Sequence, residues 1–233
     1  MLDEHPTLTI RRAWSRPSAD DIAAFAGILT GNVVDALGGR GAMHHTIKPL
    51  ADATGATPAI CGPALPCWTG PDDNLALAAS LAFIQPGDVL VCATDSFTGS
   101  AVSGDLVLGM ARNNGATGLV TDGAVRDLPG IHAVGLPVFC TAVTPNSPAR
   151  SGPGTVGLEV VVGGVQVAPG DLIVGDGDGI VVVPQAILAE TRARLAEVRK
   201  AEAATEKRVM QEGLKQPDYL GPLLDSPKVR YVD

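Results

Sequence analysis

The chain has 233 residues, 45% of them hydrophobic and 18% charged, enough apolar material to bury a substantial core and too much for intrinsic disorder. With 25 acidic against 17 basic side chains the net charge is −8, and aromatic residues make up only 3%. Such a field repels a phosphate backbone and such a composition offers few stacking rings, which excludes nucleic acid as a partner.

In chain order, Met1-Leu2-Asp3-Glu4-His5 carries acid where an export signal places base, and every later apolar stretch is broken before the roughly 18 to 20 residues of a membrane helix. The expectation is a cytoplasmic protein without membrane contact. Residues 18–38 predict two helices, with Ser18 as N-cap, Asp20 and Asp21 in the first turn, a break near Gly31 and a stop at Gly38-Gly39. Short apolar pieces between Pro and Gly over 47–66 read as strands. Residues 72–83 return to helical spacing through Leu75, Ala78, Ala79 and Ala82, with Asp72 and Asp73 as capping and first-turn charges. Gln85-Pro86-Gly87-Asp88 then turns the chain into a buried strand over 89–93. A comparable unit follows, with Ser103 capping a helix over 105–114, Gly115 ending it and a strand over 117–121. A third unit has a helix over 128–134 and a strand over 137–141. After Arg150 four short strands (160–162, 165–167, 172–174, 180–183) are spaced by Gly- and Pro-rich turns, the pattern of a small barrel or sandwich. A charged helix runs from Pro184 to about Gly213, and a Pro-broken tail completes a region suited to subunit contacts.

Three motifs are set aside on physical grounds. Gly152-Pro153-Gly154-Thr155-Val156-Gly157 spells the dinucleotide fingerprint, but a strand follows it where the phosphate site needs a helix. Asp176-Gly177-Asp178-Gly179 lacks the distal Glu of a calcium loop, Gln185 standing there, and reads as a β-turn. His44 and His45, being adjacent, splay apart and read as exposed loop residues. Cys61, Cys67, Cys92 and Cys140 have no CxxC spacing and read as reduced, mostly buried thiols.

The informative segment is Ser103-Gly104-Asp105-Leu106-Val107, followed after one helix and one strand by Asp122-Gly123-Ala124-Val125-Arg126-Asp127. The first piece is a Gly-bearing helix start whose free N–H groups favour an anion. The second sets a guanidinium beside a carboxylate just past a buried strand, where α/β proteins build sites. Spacing alone favours the simpler reading, in which Arg126 and Asp127 pair with each other or with other surface charges.

These residues, with Gly118-Leu119-Val120, resemble the family that holds the regulator of ribonuclease E activity A and the class II pyruvate aldolases. Those aldolases act on 4-hydroxy-4-methyl-2-oxoglutarate and 4-carboxy-4-hydroxy-2-oxoadipate. Further landmarks are Val34-Asp35-Ala36-Leu37-Gly38, Asp73-Asn74-Leu75, Pro169-Gly170-Asp171 and the run from Asp176 to Pro184, so the likeness spans about residues 20–184. The resemblance implies a mixed α/β chain of the swivelling β/β/α fold, a core domain over 1–184, and a C-terminal helix and tail over 185–233 that pack between subunits of a homotrimer or homohexamer. It implies a divalent cation, Mg²⁺ or Mn²⁺, held by Asp127, with Asp105 orienting its water. The backbone of Gly104, Asp105, Leu106 and Val107 would take the carboxylate of a pyruvate unit, and Arg126 its keto oxygen. Glu202 or Glu206 on the C-terminal helix would reach a neighbouring subunit's site; both are equally readable as solvated helix-face charges. The implied activity is cleavage of a 4-hydroxy-2-oxo di- or tricarboxylic acid to pyruvate and an oxo acid, with oxaloacetate decarboxylation alongside. The rival within the family is a non-enzymatic binding protein that modulates a ribonuclease. A methyltransferase would need an adenosylmethionine site, and the one Gly-rich candidate precedes a strand.

Overall fold

The structure, a computed structural model, describes residues 6–50 and 55–232. The chain divides into two compact units, Met1–Leu195 and Ala196–Asp233. The first opens with β1 (Leu8–Ile10), α1 (Ala19–Phe25), α2 (Thr30–Ala36) and β2 (Lys48–Pro49). Then come β3 (Ile60–Trp68), α3 (Leu75–Ser80), β4 (Val89–Ala93), β5 (Ala101–Ser103), α4 (Asp105–Asn113), β6 (Gly118–Thr121), β7 (Ala124–Val125) and α5 (Leu128–Val134). Next are β8 (Val138–Cys140), β9 (Ala142–Val143), β10 (Gly154–Val156), β11 (Val160–Val162), β12 (Val165–Val167), β13 (Leu172–Asp176) and β14 (Gly179–Val183). The long helix α6 (Leu188–Met210) runs on into the second unit, which also holds α7 (Leu220–Leu224).

Strands β3, β4, β6 and β8 are parallel neighbours, joined through α3, α4 and α5. Both faces of this sheet are covered, which is why its strands are nearly continuous apolar runs. Side chains alternate between two cores. Leu65, Cys67, Leu90, Cys92, Leu119 and Val138 pack with Leu77, Leu108 and Ile131 of the helices. Ala64, Val89, Val91, Val120 and Phe139 pack on the other side with Val160, Val162, Val167, Ile173 and Val182. The result is a helical layer, the sheet, and a second β layer, the β/β/α fold.

The four late strands do not close a barrel of their own. The β11–β12 hairpin covers the sheet, whereas β13 pairs antiparallel with β14 and with residues 60–63 of β3, making both part of the large sheet. Strand β10, unforeseen from the sequence, lies within the Gly-rich 152–157 segment and pairs with β1 and β3. That placement supports setting the dinucleotide motif aside. The first helix pair breaks at residues 26–29 rather than at Gly31, which sits inside α2. Gly27 takes the left-handed φ of 72° after α1, and Asp176 caps the first turn of α2, accepting from Thr30 N and Thr30 Oγ1, both at 2.8 Å. Ser18 caps α1 as expected, its Oγ accepting from Asp21 N at 3.2 Å. Asp73 does more than cap α3: besides Leu75 N at 2.7 Å, its carboxylate takes Ser151 N at 2.6 Å and Gly152 N at 3.0 Å.

A three-stranded parallel sheet, β5-β7-β9, continues the central one. Each of its strands follows β4, β6 or β8 in the chain, and the order across the sheet is kept. Its carboxyl ends therefore bring together Gly104, Arg126 and the loop beyond Val143. Within the second unit, Arg208 makes a two-pronged ion pair with Asp218 at 2.7 and 2.8 Å, and none of its described residues is buried. No helix among the described residues is long and apolar enough to cross a membrane.

Candidate active site

The site begins where β5 gives way to α4. Gly104, not Ser103, is the N-cap; Ser103 lies in β5, where its backbone oxygen accepts from Arg126 N at 3.0 Å. The approach is close: a Cβ at position 104 would stand 2.5 Å from Asp127 Oδ2 and 3.2 Å from Arg126 Cγ, so the carboxylate would have to shift. Beyond it, the N–H groups of Asp105 and Val107 are left open by the helix, as first-turn donors are. The amide of Leu106 is not open: Asp105 Oδ1 accepts from it at 2.7 Å. Asp105 is seated on α5, where a Cβ on Gly130 would come 2.0 Å from its Oδ2.

Arg126 and Asp127 follow β7. Asp127 takes the left-handed conformation, φ 64° and ψ 46°, and its backbone oxygen starts α5 by accepting from Ile131 N at 3.0 Å. Its side chain is 45% exposed, so the carboxylate faces solvent from a turn rather than from the core. Arg126 Nε donates to Asp127 Oδ2 at 3.1 Å, and Nη1 donates to Ser147 Oγ. The pairing that spacing allowed between the two charges does form, yet it uses one donor of five. Nη2 has no acceptor among the described residues.

The sequence assigned no role to Asp122, which carries the scaffold. Nearly buried, it accepts from Thr94 N at 2.8 Å, Thr94 Oγ1 at 3.1 Å, Ser96 N at 2.8 Å and Ser96 Oγ at 3.3 Å. These bonds hold Asp95 and Ser96 at φ 55° and 59° and so fix the connection from β4 to β5. Ser147 was also missed; its only sequence signal is a Pro145-Asn146-Ser147-Pro148 turn just past a strand.

Gly104, Asp105, Arg126 and Asp127 are thus brought together at the α4–α5 junction. Leu106 is 75% exposed beside them. Glu202 and Glu206 lie on the part of α6 in the second unit. His44 and His45 are exposed as expected, but they do not splay apart: their ring centroids are 4.2 Å from each other. The four thiols are free, three of them buried, and burial pushes both Cys61 and Cys140 up to about 11.

The family model described as RraA-like, Aldolase/RraA, matches residues 30–182. A relative from Halalkalibacterium halodurans, named "Putative 4-hydroxy-4-methyl-2-oxoglutarate aldolase", is 36% identical over 151 residues, 65% of this chain and 70% of its own. Among solved structures, an uncharacterized protein from Pseudomonas syringae pv. tomato superposes with a TM-score of 0.75 at 25% identity, covering 87% of this chain and 93% of that one. Streptomyces coelicolor RraAS2, described as an unusual member of the RNase ES inhibitor RraA protein family, gives a TM-score of 0.74 at 28% identity over 84% of this chain and all of its own.

Proposed function

Because the chain belongs to the RraA-like Aldolase/RraA family, we propose that it is a divalent-metal-dependent pyruvate aldolase, cleaving 4-hydroxy-2-oxo di- or tricarboxylic acids such as 4-hydroxy-4-methyl-2-oxoglutarate or 4-carboxy-4-hydroxy-2-oxoadipate. The observation that carries this reading is the meeting of a guanidinium with free donors, an open helix first turn and two carboxylates at one set of strand ends.

The donor set suits a hard cation. Asp127 and Asp105 offer oxygen only, Asp127 lying against Gly104 and Asp105 against Gly130. One carboxylate completed by water is what Mg²⁺ or Mn²⁺ accepts. Asp127 would hold the cation, and Asp105 would orient a water beside it. A cation bound there would supply positive charge that stabilises an enolate.

The chain's own groups do the rest. The open N–H groups of the α4 first turn take the pyruvyl carboxylate, aided by the helix dipole. Arg126 Nη2 donates to the C2 oxygen. In the reaction the C4 hydroxyl loses its proton, the C3–C4 bond breaks, and its electron pair moves through C2 to leave a pyruvate enolate and an oxo acid. Arg126 stabilises the enolate oxygen more strongly than the ketone, which is what lowers the barrier. The hydroxyl proton passes to water held by Asp105 or to Glu202 or Glu206 of a neighbouring copy, and a proton returned to C3 completes pyruvate. Oxaloacetate loses CO₂ through the same enolate. The protein acts in the cytoplasm as a homotrimer or homohexamer without nucleic acid.

The test is pyruvate release across a panel of 4-hydroxy-2-oxo acids and oxaloacetate, with Mg²⁺, with Mn²⁺ and after chelation. Metal-dependent release supports the reading. No release from any of them leaves the ribonuclease-modulating role, which the description of RraAS2 favours.

A further inference from the structure

We propose that Ser147 is a positioning residue for Arg126: its hydroxyl fixes the guanidinium from the edge opposite Asp127, so that Nη2 is aimed at the substrate before it arrives. The inference rests on the aldolase reading for its catalytic consequence, but not for its geometry.

Arg126 is anchored at two places. Nε meets Asp127 Oδ2 at 3.1 Å, and Nη1, on the far side of the planar group, meets Ser147 Oγ. One anchor alone leaves a guanidinium free to swing about that bond; two on opposite edges fix its plane. The remaining donors, both on Nη2 and one on Nη1, then point in set directions.

An exposed serine could still be an incidental partner if its loop were loose, but the loop is tied down on both sides of it. Before it, Thr144 N donates to Val125 O at 3.0 Å, Asn146 Nδ2 to Gly99 O at 2.8 Å, and Ala101 N to Asn146 O at 3.0 Å. After it, Ala149 N donates to Asp72 O at 2.7 Å and Asn74 N to Ala149 O at 3.1 Å. Asp73, a residue only 8% exposed, takes the amides of Ser151 and Gly152 on its carboxylate. Asp72 adopts a left-handed φ of 57° to make this clamp. Ser147 is thus the one side chain that a rigid loop carries to the guanidinium, an arrangement that provides preorganisation rather than burial.

The experiment compares wild type, Ser147→Ala and Ser147→Thr, the exposed position making all three foldable, in two measurements. The first is steady-state pyruvate release. Loss of a charge-assisted bond that orients an enolate-stabilising group is expected to lower kcat by about tenfold, with KM little changed, and the threonine hydroxyl to restore it. The second is the low-temperature NMR signal of Arg126 Nη1–H, the donor that meets Ser147, assigned by its disappearance in Arg126→Lys. In Ser147→Ala it is expected to move toward the position and fast solvent exchange of a free arginine, and in Ser147→Thr to stay. An unchanged Nη1–H signal in Ser147→Ala overturns the proposal, as does a changed signal with unchanged kcat, or a kcat loss that threonine does not restore. If wild type releases no pyruvate, the aldolase reading falls and the Nη1–H signal alone decides whether Ser147 positions Arg126.

Discussion

Asp127 sits in a solvated turn, so truncating it removes chemistry without removing core. Asp127→Ala is expected to abolish pyruvate release while its thermal midpoint stays close to wild type, as checked by calorimetry beside the activity assay. Arg126→Lys keeps a charge but loses the planar fork, and the expected fall in kcat is on the order of 10²–10³, the cost of removing one oxyanion donor. A rise in KM with unchanged kcat would reduce Arg126 to carboxylate binding. Gly104→Ala tests the close approach directly: its Cβ falls 2.5 Å from Asp127 Oδ2, so the carboxylate must shift. Metal affinity, measured by titration with Mn²⁺, is expected to weaken although no ligand has been deleted. Gly104 and the Arg126-Asp127 pair were legible because their signals are local. Ser147, 21 residues from Arg126, has no such signal.

At the scale of elements, the β13–β14 turn and α2 hold each other. Burial raises the pKa of Asp176, but hydrogen bonds from Thr30 and from Asp178 and Gly179 outweigh it and leave the carboxyl below its ordinary value. A carboxyl depressed in the folded state contributes stability that is present above the unfolded pKa, about 4, and is lost as pH falls through the lower folded value. Asp176→Ala is expected to cost about 1 kcal/mol at neutral pH, the usual worth of a helix cap. Urea midpoints taken from neutrality into the acid range should show the variant losing less stability on acidification than wild type. An equal acid slope in both would mean that Asp176 does not set it. Spacing identified the Asp176–Gly179 turn correctly but hid its second task, because Thr30 is 146 residues away.

For the whole molecule, a site shared between copies makes a specific demand. If Glu202 or Glu206 serves a neighbour's site, then Asp127→Ala and the corresponding Glu→Gln variant are each impaired. Unfolded and refolded together, they are expected to regain part of the wild-type activity, since some sites in the mixed oligomer then hold an intact Asp127 and an intact Glu. Mixtures no more active than the average of the two parents would place both glutamates outside the site. The second unit has no buried residue of its own among those described, which is the physical reason to look for a neighbour.

Periodicity, turn chemistry and capping act over a few residues, and they were enough to mark the helices from α1 to α6, the strands β4, β6 and β8, and the place of Gly104, Arg126 and Asp127 at strand ends. Resemblance supplied the β/β/α fold that those local signals did not reach by themselves. Pairings between distant segments were decided only by the tertiary structure: β13 joining β3 instead of closing a barrel, β10 inside a false nucleotide motif, Asp122 bracing the β4–β5 connection, and the Asp73 clamp that delivers Ser147. In each, a backbone or side-chain partner lies tens of residues away, and which partner is met depends on how the layers bury their apolar faces together.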